Sequence, residues 1–520
     1  MKEQVHIVFV SSVSATFELL NDEIYATKEP YGIYLNDVFI RNDNRNVFSV
    51  FKLIPNTSYV LKLVLNNESI TQEFNTNSET VAIDVKSFGA IGDGIANDTS
   101  AIQLAIYCCP KNGRVFLEKG TFLVSSIFLK DDITIEVKKD SILKGIIDRT
   151  KIPYLPRTID LYDGSELLLG TWEGEKNNMF ASIILGYQVK NCNVLGEGII
   201  DGDAQNGDWW IKHREPRIAW RPRNIFLNQC RNIVIQGLTS QNSAAWNIHP
   251  FFSNNCQFLN LNINSSKDSP NTDGLNPESC DQIDILGINF SVGDDCIAIK
   301  SGKIEMGMKY KTPSSNITIR NCFMHDGHGG VVLGSEIGAG VKDLNVSKCY
   351  FKCTDRGLRI KTRRGRGKYS VLDGIAFEQI KMEGVLTPLV INSYYNCDPI
   401  DGKSEYVWSK DKLPIDDRTP YLGTFHFKDI SCTDCEVCAG FFYGLPERPI
   451  KEVYLENVSI SFKEEAKEGL PAMMCYLDPM RKENLYFNYV DRVYLENVKV
   501  SGAAKDTYTL KNVNIVTEEK

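Results

Sequence analysis

The 520-residue chain is 42% hydrophobic and 24% charged, the make-up of an ordinary globular protein long enough to bury a large core. Its 66 acidic and 58 basic side chains leave a formal charge of −8, which argues against a general nucleic-acid binder, because such proteins need a basic face to displace counterions. No run approaches the roughly 18 apolar residues of a membrane span, and the short "VHIVFV" lacks a cleavage context, so neither a membrane partner nor a secretion signal is expected.

Residues 1–80 alternate apolar and polar positions in short segments ("HIVFV", "YGIYLN", "VFSVFKL", "SYVLKLVL") separated by turn residues, the pattern of a β-sandwich. The piece "LIPNTSYVLKLVL" resembles the tyrosine-bearing strand entry of a fibronectin type III module, and "NTNSET" reads as the linker that follows. Next, in "FGAIGDGIANDTSAIQLAI", a Gly-rich turn leads into the capping types Asn97, Asp98 and Thr99, with Ile102, Ala105 and Ile106 at helical spacing behind them. This predicts one short amphipathic helix and almost no helix after it.

From residue 81 to 520 short β-rich segments return: "RNIVIQGLTSQNS", "CQFLNLNINSS", "DQIDILGINFSVG", "SNITIRNCFMHDG", "KDLNVSKCYFKCT". Aligned on Ile233, Phe258, Ile283, Ile317 and Leu344, they repeat about every 25–34 residues, a spacing that marks an internal repeat. Each unit holds two or three strands too short to bury a face alone. Stacking the units as a right-handed parallel β-helix gives every strand two neighbours, with the early helix covering the open N-terminal edge. Propeller blades would need four strands and more hairpin signals. The predicted fold class is therefore all-β, with a small sandwich (1–80) followed by a parallel β-helix (81–520).

The fifteen cysteines are scattered, and reduced thiols filling small core positions account for them. "CTDCEVC" (Cys432, Cys435, Cys438) has thiols close enough to share a zinc ion, but no second Cys or His pair completes a tetrahedral site, so no metal or cofactor is expected. The thiols favour a cytoplasmic location; a secreted protein whose leader had been removed would look the same.

Two stretches stand out against this apolar background. "SPNTDGLNP" and "SVGDDCIAIKSG" carry Asp273, Asp294 and Asp295. In a solenoid, residues one period apart stack on adjacent coils, so Asp273 and Asp295 should lie side by side, and a bend after Gly293 lets Asp294 join them. Crowded carboxylates repel and split their pKa values, which a scaffold has no reason to arrange. "HDGHGG" places His325 and His328 one coil onward, and "GLRIKT" places Arg359 and Lys361, two apart and so on one strand face, a coil beyond. Acids, a histidine and two cations on successive coils suit an anionic polymer: unequal carboxyls do glycoside hydrolysis while the cations hold substrate carboxylates. Calcium ligation and solvent-facing turn aspartates are the alternatives for the acids; any one aspartate alone would suit a turn, and calcium would leave both cations repelled by the metal.

"NTDG" (271–274), "GDD" (293–295), "GHG" (327–329) and "RIK" (359–361), in this order and with "FGAIGDG", "NSAAWNIHP" and "GLPERPI" around them, resemble the polygalacturonase family of glycoside hydrolases, family 28, over residues 81–520. The resemblance implies hydrolysis of α-1,4 links between galacturonic acids with inversion at the anomeric carbon. On the matching positions, it implies Asp294 as general acid, Asp273 and Asp295 as the pair that holds and deprotonates water, and His328 tuning the acid. Arg359 and Lys361 would bind the substrate carboxylate, Asn271 would complete the wall, and Tyr395, in preference to Tyr394, would touch the sugar; His249 and His325 are expected to be structural.

Two insertions, 157–180 and 397–423, are too long for coil turns and read as binding loops. With "GSE" (334–336) and the leading sandwich they resemble the exo-acting branch, in which added loops close one end of the cleft. Arg363, Arg364 and Arg366 are expected to serve further carboxylates or to lie in a solvated loop. The alternatives are an endo-acting member, a rhamnogalacturonan or xylogalacturonan hydrolase, a pectate lyase, and a non-catalytic carbohydrate-binding solenoid.

Overall fold

Residues 4–65, 68–396 and 404–519 are described by the structure, a computed structural model. The alternating segments at the start form two antiparallel sheets, one of three strands (Gln4–Val10, Ser14–Leu20, Val47–Phe51) and one of four (Ala26–Leu35, Val38–Arg45, Ser58–Leu65, Glu68–Asn75). Their inward residues, among them Phe17, Ile33, Phe48 and Leu61, make one core. Tyr59 anchors the strand entry that its sequence marks: its hydroxyl accepts a hydrogen bond from the Ile54 N–H at 2.9 Å, and its ring stacks on Phe74.

From Ala82 onward the chain winds into a right-handed parallel β-helix whose coils pair in three ladders. One runs Cys192, Ile233, Cys256, Ile283, Ile317, Leu344, Ile375. A second runs Ile200, Ser240, Ile263, Phe290, Met324, Phe351. The third runs Ile184, Ile225, Ile248, Leu275, Ile297, Val331, Leu358, Leu389. Nearly all of these side chains point inward to a single long core, because in each strand alternate residues face the lumen. Phe258 sits two residues further along than the repeat alignment places it: Cys256 is the partner of Ile233, and Phe258 pairs with Ile235 in the neighbouring row. A shift of two keeps the inward face, so hydrophobicity alone does not detect it.

The helix Thr99–Cys108 lies on the N-terminal coil and buries Ile102, Ala105 and Ile106. Asn97 caps it through the Thr99 N–H, while the Asp98 carboxylate turns back to accept from Ile91 and Gly92 in the Gly-rich turn. Among the described residues two further short α-helices, Ile304–Tyr310 and Glu405–Trp408, sit in connections between coils and are too short to show a period, consistent with the expectation of almost no helix beyond the first. Among the described residues no helix is long and apolar enough to cross a membrane.

The sandwich is seated along one corner of the helix. Ser14 and Thr16 exchange hydrogen bonds with Gln236 (2.6 Å each), Arg45 reaches Asn260 (3.1 Å), Tyr25 reaches Asn289 (2.5 Å), and Glu18 pairs with Arg320 (2.9 Å). Val47 packs on Leu259 and Leu286 in the same contact.

Candidate active site

Asp273 and Asp295 each stand two residues before a core residue of the third ladder, Leu275 and Ile297, which are neighbours. The two aspartates are thus in register, and the Gly274 N–H donates to the Asp295 carbonyl at 3.0 Å. Asp294 occupies the bend before the strand Asp295–Ile299. Gly293 permits that bend, since a Cβ there would lie 2.4 Å from the Ser269 carbonyl. In the strand Arg356–Lys361 the residues Leu358 and Ile360 fill the core, so Arg359 and Lys361 face out together. The buried Asp295 carboxylate passes over Gly329, where a side chain would crowd it, and accepts from Lys361 Nζ at 2.6 Å and Arg359 Nη1 at 3.3 Å.

All eight residues singled out from the sequence line one cavity of about 690 Å³. Asn271, in left-handed backbone that asparagine tolerates, turns its amide oxygen to Arg221 Nη2 at 2.6 Å. Tyr395 lines the cavity 5.7 Å from Lys361, whereas Tyr394 is wholly buried against Tyr443. His249 lies beneath the floor, bound to Glu278 at 3.0 Å, and His325 pairs with Asp326 at 3.0 Å away from the lining.

Adjacent acids in this cluster are driven apart. Burial, reinforced by the Asp294 charge, pushes the Asp273 carboxyl up to about 8 against the pull of Lys300. For Asp294 burial acts in the same upward sense, but His328 Nδ1 at 3.4 Å, together with the charges of His328, Lys361 and Arg359, overrides it and brings the carboxyl down to about 2. The same pairing raises His328 against the effect of its partial burial. These shifts favour a proton on Asp273 and a charged ring on His328. The arrangement offers one acid whose protonated form is favoured, one carboxylate paired with a histidine ring, and a third carboxylate between two cations.

The walls come from loops. Trp172, in the 157–180 insertion, stacks on Trp220 at 4.5 Å and lies parallel to Trp246 at 6.2 Å, and the next residue, Glu173, enters the cavity lining. This insertion holds two small hairpins and is closed at its base by the antiparallel pair Tyr154–Leu155 and Met179–Phe180, and Lys303 holds its tip through the Gly174 carbonyl (2.9 Å) and Glu175 (3.0 Å). The other insertion behaves differently: residues 397–403 lie outside the described residues, and none of 404–423 lines the cavity. The opposite wall belongs to a third loop, 463–482, whose Met473 sulfur takes a hydrogen bond from Arg359 at 2.7 Å and whose backbone is held by Asn392. The arginines after "RIK" are buried rather than solvated, and they are not cavity residues. Arg364 grips Glu447 in two hydrogen bonds of 2.6 and 2.9 Å and ties down the carbonyls of Tyr406, Ser409 and Asp411.

Comparison with known proteins agrees with this geometry. The model of glycosyl hydrolases family 28 matches residues 157–411, and one described as rhamnogalacturonase A/epimerase, pectate lyase-like, matches 82–183. A polygalacturonase of Malus domestica is 30% identical over 370 residues, which cover 67% of this chain and 70% of that protein. The chain belongs to glycosyl hydrolase family 28. It is similar in fold to the family 28 exopolygalacturonase of Yersinia enterocolitica (TM-score 0.73, 18% identity, covering 100% of this chain and 98% of that one). It is also similar to a hyperthermoactive exopolygalacturonase of Thermotoga maritima (TM-score 0.67, 25% identity, 81% and 92% covered).

Several lining residues of this family 28 protein were not singled out from the sequence. Lys300 follows directly on the strand that Asp295 begins, as a lone cation closing an apolar run, and that oddity was its one signal. Trp246, His213, Arg214 and Met473 also line the cavity and sit in segments with no period to mark them.

Proposed function

We propose that the protein is an exo-acting polygalacturonase that cleaves α-1,4-galacturonosidic bonds with inversion. The observation that carries this reading is the set of unequal carboxyls facing two cations inside a cavity walled by inserted loops. Formal charges at the Arg359–Lys361–Asp295 group leave one positive charge, suited to a single uronate carboxylate. Asn271 and Tyr395 complete the sugar's surroundings.

In the proposed reaction, the proton held by His328 passes to Asp294 as the glycosidic oxygen arrives, and Asp294 delivers it to that oxygen as the bond to the anomeric carbon breaks. Water held between Asp273 and Asp295 adds to the opposite face of that carbon and gives its proton to this pair. The cluster can work in this way only when Asp273 has released its own proton, so activity should fall on the acid side as Asp273 is protonated. The exo assignment is supported by the inserted loop 157–180, whose Glu173 lines the cavity, and by the exo-acting names of the two solved relatives.

A time course on polygalacturonate and short oligogalacturonides tests this. Exo action yields mono- or digalacturonate from the first minutes; an early mixed ladder would show internal cleavage, and products absorbing in the ultraviolet would show elimination. Proton NMR of the first product gives the anomer, and retention of configuration would refute the two-carboxylate water mechanism. We also propose a cytoplasmic location, supported by thiols such as Cys280 and Cys349 that pack in the core and donate to carbonyls. Cell fractionation with an antibody tests that placement.

A further inference from the structure

Behind the acid cluster lies a buried charged pair that the reaction above does not use. Lys300 Nζ donates to Glu336 Oε2 at 2.6 Å and stands 4.0 Å from Asp273 Oδ2, with the Trp246 ring 4.7 Å away. Both Lys300 and Glu336 are more than nine-tenths buried. Among the described residues Asp273 is otherwise held by one side-chain hydrogen bond, from Asn276 Nδ2 at 2.7 Å. Glu336 in turn lies under the tip of the 157–180 insertion: a Cβ on Gly174 would come within 2.8 Å of its side chain.

We propose that Lys300 is a positioning residue whose ammonium, shared between Glu336 and Asp273, sets how readily Asp273 ionises and so fixes the acid side of the pH–rate profile. This rests on the reading of Asp273 as part of the water-activating pair. The other groups facing Asp273 are Asp294 and Asp295 from the next coil, Arg221 and Arg223 from the preceding loop, and the Cys296 thiol. Arg221 and Arg223 donate to backbone carbonyls, to Asn271 and to the Met179 sulfur, and Asp294 and Asp295 oppose ionisation. Lys300 is thus the cation within 4.0 Å that favours it. Glu336 competes for that ammonium and is held strongly ionised by it, against burial. Glu278, bound to His249, faces Lys300 from beneath and also draws on its charge.

The two partners therefore act in opposite senses, which separates this role from a merely structural one. Lys300→Met should move the acid limb of kcat/KM on polygalacturonate up by about 1–3 pH units, the effect of removing an opposite charge at this range. Glu336→Gln should move it down, because the ammonium is released to Asp273. Lys300→Arg should restore the wild-type limb. If Lys300→Met fails to fold because Glu336 is left unpaired, the double variant Lys300→Met/Glu336→Gln keeps the volume without the charges and should still shift the limb upward. Equal losses of rate at every pH, or a rise in KM with the limb unmoved, would overturn the proposal. The thermal midpoint against pH provides a readout without substrate. The pH range over which Asp273 lowers stability should shift with the same signs, and an unchanged range would also overturn the proposal. Failure of the wild-type protein to hydrolyse polygalacturonate would instead refute the substrate assignment and leave this stability test standing.

Discussion

Two clusters of cationic residues lie in neighbouring turns of one chain segment, and they do different work. Arg359 and Lys361 belong to a strand whose other face fills the core; alternation turns them into the cavity, where they share Asp295. Arg364, three residues past the strand's last residue, has left the ladder, is wholly buried, and spends its donors on Glu447 and on the backbone of 406–411. Side-chain chemistry is alike in the two places, so the difference comes from whether the backbone is still bound to the periodicity of the coil. A cation on a strand face serves the cleft, and one in the connection serves the loop.

That contrast can be tested, beginning with the change of largest expected effect. Asp294→Asn removes the proposed proton donor and should lower turnover of polygalacturonate by about 10²–10⁴-fold, the usual contribution of a positioned general acid; reducing-end release measures it. Arg364→Met leaves Glu447 buried without its partner and should cost about 3–5 kcal/mol of stability by denaturant unfolding, as broken buried pairs do. The rate per folded molecule should stay close to wild type, and a rate that falls with stability preserved would move Arg364 into the substrate site. Arg359→Met should do the reverse, lowering kcat/KM by about 10–10²-fold through loss of a charged hydrogen bond, with the unfolding midpoint little changed.

The smallest expected effect is a gain. Burial raises Asp273 to about 8, so the folded protein holds its proton more tightly than the unfolded chain, where an aspartate titrates at about 3.9. Its contribution to stability is fully present below about pH 3.9 and is lost as pH rises through about 8. Asp273→Asn should therefore melt a few degrees higher than wild type, with the larger difference at pH 8 and the smaller at pH 4, by calorimetry. A difference that grew toward low pH would reverse the assignment of protons between Asp273 and Asp294.

What the sequence made legible follows the same division. The coil repeat and the facing of Asp273, Asp295, Arg359 and Lys361 were readable because stacking and strand alternation are periodic. A two-residue slip, such as that at Phe258, preserves every inward position and so leaves no trace in hydrophobicity. How the loops fold was not readable. The insertion at 157–180 was legible as an aromatic-rich binding loop, but its hairpins and the stack of Trp172 on Trp220 and Trp246 depend on partners up to 74 residues away. Burial of Arg363, Arg364 and Arg366 runs against charge, and Met473 arrives from a segment with no pattern of its own. Lys300 was visible in the chain, but its meaning required Glu336 and Asp273 on either side.

The seating of the N-terminal sandwich has a further consequence. In a solenoid each coil touches only the next, so the stack behaves as a one-dimensional array that can unzip from either end. Gln236, Asn260, Asn289 and Arg320 lie on four successive coils, and all four are tied to one small, independently packed body. The sandwich is a splint: a coil between Gln236 and Arg320 cannot open without loosening its neighbours as well, which makes that stretch open as one cooperative unit. Asp273 and the Asp294–Asp295 pair lie within it, so the carboxylates are kept in mutual register by contacts made on a different corner of the coil.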